Sequence, residues 1–110
     1  MKCIRAILRP EKEEAVVRGL EAVGIVAMTR WDVLGRGRQR GIQVGGSTYG
    51  ELPKVCLMLI VDDDQASLAV DTIMEHAKTG NPGDGRIFVS TVQEAHTVRT
   101  GKVDKESREV

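Results

Sequence analysis

The chain is predicted to be an α+β domain, one antiparallel sheet with two helices on a single face, and three observations lead there. Lys2–Arg9 alternates apolar and polar residues in the manner of a strand with one buried face. Two segments, from Glu11 and from Asp62, carry apolar stripes at helical spacing behind acidic starts. Lys54–Val61 is apolar on both faces after its first residue, as in a strand covered on both sides. One domain spanning 1–110 accommodates all of them.

In the first strand Ile4, Ala6 and Leu8 face one way, while Cys3, Ile7, Arg5 and Arg9 face the other. Pro10 ends it, and Glu11, Glu13 and Glu14 place negative charge where a helix dipole favours it. The spacing of Val16, Val17, Leu20 and Val23 predicts a helix from Glu11 to about Val23, with Gly24 as its stop. Met28–Leu34 is rich in strand formers and runs into G-R-G-R-Q-R-G at Gly35–Gly41. From Gly37 to Leu52 neither period is present, and so long a segment inside a small domain is expected to be a functional mobile loop.

On the strand Lys54–Val61, Lys54, Cys56, Met58 and Ile60 share one side. A single helical layer covers only the other, so this side is expected to meet another subunit. Asp62, Asp63 and Asp64 offer a cap and charge for a second helix with the stripe Ala66, Val70, Ile73, Met74 and Ala77. In it Met74 is read as core filler and His76 as a solvated or dipole-compensating residue near the helix end. A strand Arg86–Val92 follows, and the charged tail 97–110 is expected to be ordered only by a partner or ligand. Strand, helix, strand, loop, strand, helix, strand is the order of a ferredoxin-like βαββαβ fold, which by itself assigns no function.

Composition narrows the functions. Sixteen basic residues balance sixteen acidic ones and there are only three aromatics, which argues against a basic nucleic-acid module. The charged N-terminal segment is no signal peptide and no run is long enough to span a bilayer, so a cytoplasmic protein is expected. Cys3 and Cys56 lie far apart in apolar strands and read as buried thiols. Neither His76 nor His96 has an acid or nucleophile at a recognisable spacing, so the chain is not read as an enzyme.

The turn Lys78–Ser90, K-T-G-N-P-G-D-G-R-I-F-V-S, carries the strongest chemical signal. Its glycines let several N–H groups converge on one anion, but the same residues are first of all turn formers. It matches neither the Walker nor the dinucleotide pattern, and no helix follows it. From the residues alone, a plain turn and a phosphate site both stand.

Taken together, K-x-I-x-A-I-x-x-P near the start, G-R-G-R-Q-R-G, L-P-K at Leu52–Lys54, T-G-N-P-G-D-G-R-I-F-V at Thr79–Val89 and R-T-G at Arg99–Gly101 resemble the P-II family of nitrogen-regulatory signal proteins. The resemblance covers nearly the whole chain. It implies a homotrimer with ATP or ADP in clefts between subunits, 2-oxoglutarate as effector beside Mg-ATP, and a mobile loop, about 37–52, that meets target proteins. By position, Gly83, Asp84, Gly85 and Arg86 of the phosphate turn 79–86 would hold the nucleotide, Arg99 would reach in from a neighbouring tail, and Ile7, Thr29, Gly35, Gly37, Arg38 and Ile60 would border it. Gln39 would be the Mg ligand. Lys54, with Gln39, Arg40, Gly41 and Gly83, would hold 2-oxoglutarate.

Departures from the family pattern are Arg86 where a lysine is usual, Thr97 where an arginine is usual, and a shorter loop. Tyr49 lies in S-T-Y-G-E, which does not match the setting of the tyrosine that enteric members modify. The short loop, G-I-Q-V-G and Y-x-E-L-P-K resemble the branch that acts on nitrogenase, often with a sister P-II subunit. The leading expectation is control of nitrogenase by direct contact; the alternative is regulation of an ammonium transporter or another nitrogen-metabolism target.

Overall fold

A computed structural model of the chain describes residues 1–36, 42–44 and 47–105. Four strands form the main sheet: β1 (Lys2–Leu8), β2 (Thr29–Gly35), β5 (Leu52–Val61) and β6 (Gly85–Thr91), in the order β2-β5-β1-β6 with all neighbours antiparallel. Helices α1 (Glu13–Ala22) and α2 (Ala66–Ala77) complete the βαββαβ order of the ferredoxin-like fold. Two hairpins are added, β3 (Ile42–Val44) with β4 (Ser47–Tyr49), and β7 (Glu94–His96) with β8 (Val103–Lys105).

The core lies between the helices and one sheet face. Ile4, Ala6 and Leu8 of β1, Val55, Leu57, Leu59 and Val61 of β5, Val16 and Leu20 of α1, and Ala69 and Ile73 of α2 are all buried there. On the opposite face Cys56 is buried, but Trp31 (41 % exposed), Ile60 (44 %) and Phe88 (45 %) leave an apolar surface open to solvent.

Several sequence expectations change in detail. The first helix is shorter than Glu11–Val23, because Pro10–Lys12 forms a separate three-ten turn before α1. Gly24 does end it: at φ 86, with Ile25 N donating to Leu20 O and Gly24 N to Glu21 O, both at 2.9 Å, it completes a Schellman closure. None of the three aspartates caps α2 through its side chain, since Asp63–Gln65 forms its own three-ten turn, closed by Gln65 N donating to Asp62 O.

Met74 is not core filler. It is 52 % exposed, and the buried face of α2 is instead Ala69, Thr72, Ile73 and Ala77, with the Thr72 hydroxyl donating to Leu68 O at 2.7 Å. His76 is half-buried rather than solvated. Its Nδ1 lies 2.9 Å from Thr72 O, and a Cβ on Gly19 would come within 2.7 Å of its ring, so these two residues set how closely α1 and α2 approach. Cys3 is only half-buried, and both cysteines are free thiols.

The region expected to lack regular structure contains the β3–β4 hairpin and the start of β5, which begins at Leu52. Pro53 is tolerated because β1 pairs with β5 only from Val55 onward, leaving the missing N–H without a ladder to break on that side. The tail is likewise ordered within the chain as far as Lys105, since Thr97 N donates to Lys102 O and Glu94 pairs with Lys105.

Candidate functional site

Strand register gathers several of the candidate site residues at one end of the sheet. The last residues of β1 and β2 and the first of β5 and β6 meet there: Leu8 pairs with both Val55 and Gly85, Ile7 with Arg86, Val33 with Lys54, and Gly35 with Leu52. The turn 79–84 closes over this end.

Asp84 is the centre of the turn. Its Oδ2 accepts from Thr79 N and Gly80 N, each at 2.8 Å, and its Oδ1 accepts from the Thr79 hydroxyl and from Arg9 Nε. The Thr79 hydroxyl, the two backbone N–H groups and the Arg9 guanidinium together hold this carboxyl well below the ordinary range. Asp84 therefore spends its acceptors inside the turn, and a carboxylate so placed shapes the site rather than meeting phosphate.

Two cations hold adjacent carbonyls. Arg9 Nη2 donates to Pro82 O at 2.8 Å, and Lys54 Nζ donates to Gly83 O. Peptide units here are trans, so each N–H points opposite to the carbonyl of its own plane. Drawing the carbonyls of Pro82 and Gly83 toward Arg9 and Lys54 thus turns the N–H groups of Gly83 and Asp84 the other way. The Gly83 N–H has no hydrogen-bond acceptor among the described residues, whereas the Asp84 N–H closes the turn around Pro82 and Gly83. Gly83 and Gly85, at φ 96 and 109, supply the backbone conformations that only glycine adopts readily. At Gly85 a Cβ would lie 1.8 Å from Ile7 O, so this position also excludes any side chain by contact.

Lys54 is 9 % exposed, and burial, followed by the nearby Arg9 guanidinium, lowers its pKa below the ordinary 10.5. One of its three donors is used on Gly83 O, and the others are chemically suited to a carboxylate or phosphate. Gly35 lies against it, with a Cβ position 3.2 Å from Lys54 Cγ.

Of the residues singled out from sequence, Ile7, Gly35, Lys54, Gly83, Asp84, Gly85 and Arg86 therefore converge. Ile60 pairs with Cys3 and Thr29 with Met58, toward the far end of the open face, and Arg99 is exposed between β7 and β8. Ile60 is six positions beyond Lys54, on the order of 20 Å along an extended strand. Gly37, Arg38, Gln39, Arg40 and Gly41 lie outside the described residues. Arg9 escaped the sequence reading as a site residue, because nothing local links it to a partner 75 positions away.

Beside the turn is a cavity of about 340 Å³ on the helical side of the sheet, lined by Leu8, Val70, Met74 and Ile87 together with Lys78, Asp84, Gly85 and Arg86. No cluster of three or more His, Cys, Asp or Glu side chains suited to a metal ion occurs among the described residues, and no helix there is long and apolar enough to cross a membrane.

Residues 1–102 match the family model described as nitrogen regulatory protein P-II. The chain is 54 % identical over 100 residues to the nitrogen fixation nifHD region glnB-like protein 1 of Methanococcus maripaludis, covering 91 % of this chain and 95 % of the relative. It is 49 % identical over 102 residues to the nitrogen fixation nifHD1 region GlnB-like protein 1 of Methanosarcina barkeri, covering 93 % and 97 %. The nitrogen regulatory protein P-II 2 of Methanothermobacter thermautotrophicus is 45 % identical over 111 aligned positions, covering 97 % and 96 %.

Proposed function

The chain belongs to the P-II family of nitrogen regulatory proteins, which are signal proteins and not enzymes, and from that premise we propose that it binds ATP or ADP at the turn 79–86, responds to 2-oxoglutarate, and controls nitrogenase by direct contact. The observation that carries the nucleotide reading is the set of backbone donors of the glycine turn, above all the Gly83 N–H, directed away from Arg9 and without an acceptor among the described residues. Convergent backbone donors of this kind suit phosphate oxygens. Arg86, next in the chain after Gly85, adds a guanidinium suited to the same oxygens.

The remaining donors of Lys54 suit the distal carboxylate of 2-oxoglutarate, a few residues from where phosphate would sit. A magnesium ion would supply charge neutralisation for these anions, and Gln39, from the family pattern, would be its ligand in this reading. Since the apolar open face needs a cover and Thr29, Ile60 and Arg99 stand apart from the turn, the reading includes a trimer. In it each cleft takes the turn from one subunit and Arg99 from the next, in a homotrimer or with a sister P-II subunit. The names of the nifHD-region relatives support nitrogen fixation as the setting.

The test is a nitrogenase assay with this protein added, titrated with 2-oxoglutarate under Mg-ATP and under ADP. Inhibition relieved by 2-oxoglutarate under Mg-ATP alone supports the reading. No inhibition under any effector condition, with the trimer and any sister subunit present, removes nitrogenase as the target.

A further inference from the structure

We propose that Arg9 is a positioning residue for the anion site: by holding Pro82 O and the Asp84 carboxylate from the end of β1, it fixes the peptide plane that aims the Gly83 N–H at the ligand. The proposal rests on the phosphate reading of the turn. Arg9 brackets Gly83 on both sides, with Nη2 2.8 Å from Pro82 O and Nε 3.1 Å from Asp84 Oδ1. A planar guanidinium has its donors in a fixed fork, so it sets the separation of two acceptors; an ammonium, with donors on one atom, does not. Because the C=O and N–H of a trans peptide are opposed, releasing Pro82 O frees the Gly83 N–H to rotate away from the ligand position. Glycine on its C-terminal side resists that rotation little.

The anchoring is one-sided without Arg9. Lys54 holds only Gly83 O, and the bonds from Thr79 and Gly80 hold only the carboxylate of Asp84. Arg9 uses two donor groups within the turn, and its role is to hold backbone in place, with no contact to phosphate required. Direct charge attraction is the competing explanation, and Arg9→Lys separates the two because it keeps the charge and loses the fork.

The experiment measures ATP affinity by calorimetry, melting temperature, and amide nitrogen–proton spectra of the ligand-free protein for wild type, Arg9→Lys and Arg9→Ala. Positioning predicts shifted Gly83 and Asp84 amide resonances in both variants before any ligand is added. It also predicts ATP affinity reduced by about tenfold in Arg9→Ala, the scale of losing charge-assisted hydrogen bonds, with Arg9→Lys in between. Unperturbed Gly83 and Asp84 amides in Arg9→Ala, or wild-type ATP affinity in Arg9→Lys, overturn the positioning role. A wild-type protein that binds neither ATP nor ADP overturns the phosphate reading itself. If Arg9→Ala does not fold, the Arg9→Lys affinity and spectrum decide.

Discussion

Arg9 Nε lies 3.1 Å from Asp84 Oδ1, joining the end of the first strand to a turn 75 positions later in the chain. The contact explains why an acidic residue sits in the middle of a loop suited to anions. Asp84 is held from within by Arg9, Thr79 and Gly80, and the two carbonyls before it, Pro82 O and Gly83 O, are drawn inward, which leaves the Gly83 N–H on the outer side.

Acid should open this turn only at low pH. The folded-state pKa of Asp84 is depressed, so its contribution is fully present above the unfolded value, near 3.8, and is lost as pH falls below it toward the folded value. Amide spectra followed through a pH titration should show the Thr79 and Gly80 resonances still unchanged at about pH 4, where an unperturbed carboxyl is already titrating, and moving only well below it. Asp84→Asn should show the open-turn shifts at neutral pH.

Gly85→Ala should be much more damaging than Gly80→Ala. Both glycines have positive φ, at 109 and 88, but a Cβ at Gly85 meets Ile7 O at 1.8 Å, whereas at Gly80 it meets nothing within 4 Å. Backbone strain alone costs ~1–3 kcal/mol, and overpacking adds ~1–3 kcal/mol at Gly85. Thermal unfolding should therefore place Gly85→Ala clearly below Gly80→Ala, which in turn lies modestly below wild type.

The open sheet face should be an intersubunit surface. Ile60→Glu puts a charge on the same open face as Trp31, Phe88 and Met58, beside Cys3, without touching the helical core, so it should leave the circular dichroism of the subunit intact while lowering the mass seen by light scattering. A monomeric wild type at micromolar concentration, or a trimeric Ile60→Glu, contradicts the proposed cover.

Arg99→Ala removes an exposed side chain in a segment tied by its own backbone bonds, so stability should hardly change. Loss of one charge-assisted contact is worth ~1.5–3 kcal/mol, or about tenfold or more in affinity for ATP and ADP. Calorimetry showing unchanged affinity for both nucleotides contradicts a cleft completed by the neighbouring tail.

Much of this architecture was legible from residue patterns. Alternation in Lys2–Arg9 and the two-sided apolar run after Lys54 gave the strands and their faces, and Gly24 gave a helix end that the Schellman bonds bear out. Met74 was misread, and the partial burial of His76 missed, because a helical stripe defines a face but not which edge of that face another element covers. Here β6 leaves Met74 uncovered, while Gly19 makes room for His76. The β7–β8 hairpin was hidden by its charged composition: cross-strand backbone bonds order it without a large apolar face. In the turn, the glycines were visible but the meaning of Asp84 was not, since its role depends on Arg9 and Lys54 arriving from other strands.

In the proposed mechanism Lys54 is the residue on which the effector response turns, because it touches the turn 79–84 through Gly83 O and has donors left for a second anion. The most direct measurement is 2-oxoglutarate calorimetry on wild type and Lys54→Ala, each saturated with Mg-ATP or with ADP. The expected result is binding to wild type under Mg-ATP, none under ADP, and loss in Lys54→Ala, which still binds ATP but more weakly because Gly83 O is released. By linkage, any target released by 2-oxoglutarate must weaken its binding by the same free energy, typically ~1–3 kcal/mol. Equal 2-oxoglutarate binding under both nucleotides, or undiminished binding in Lys54→Ala, contradicts the mechanism.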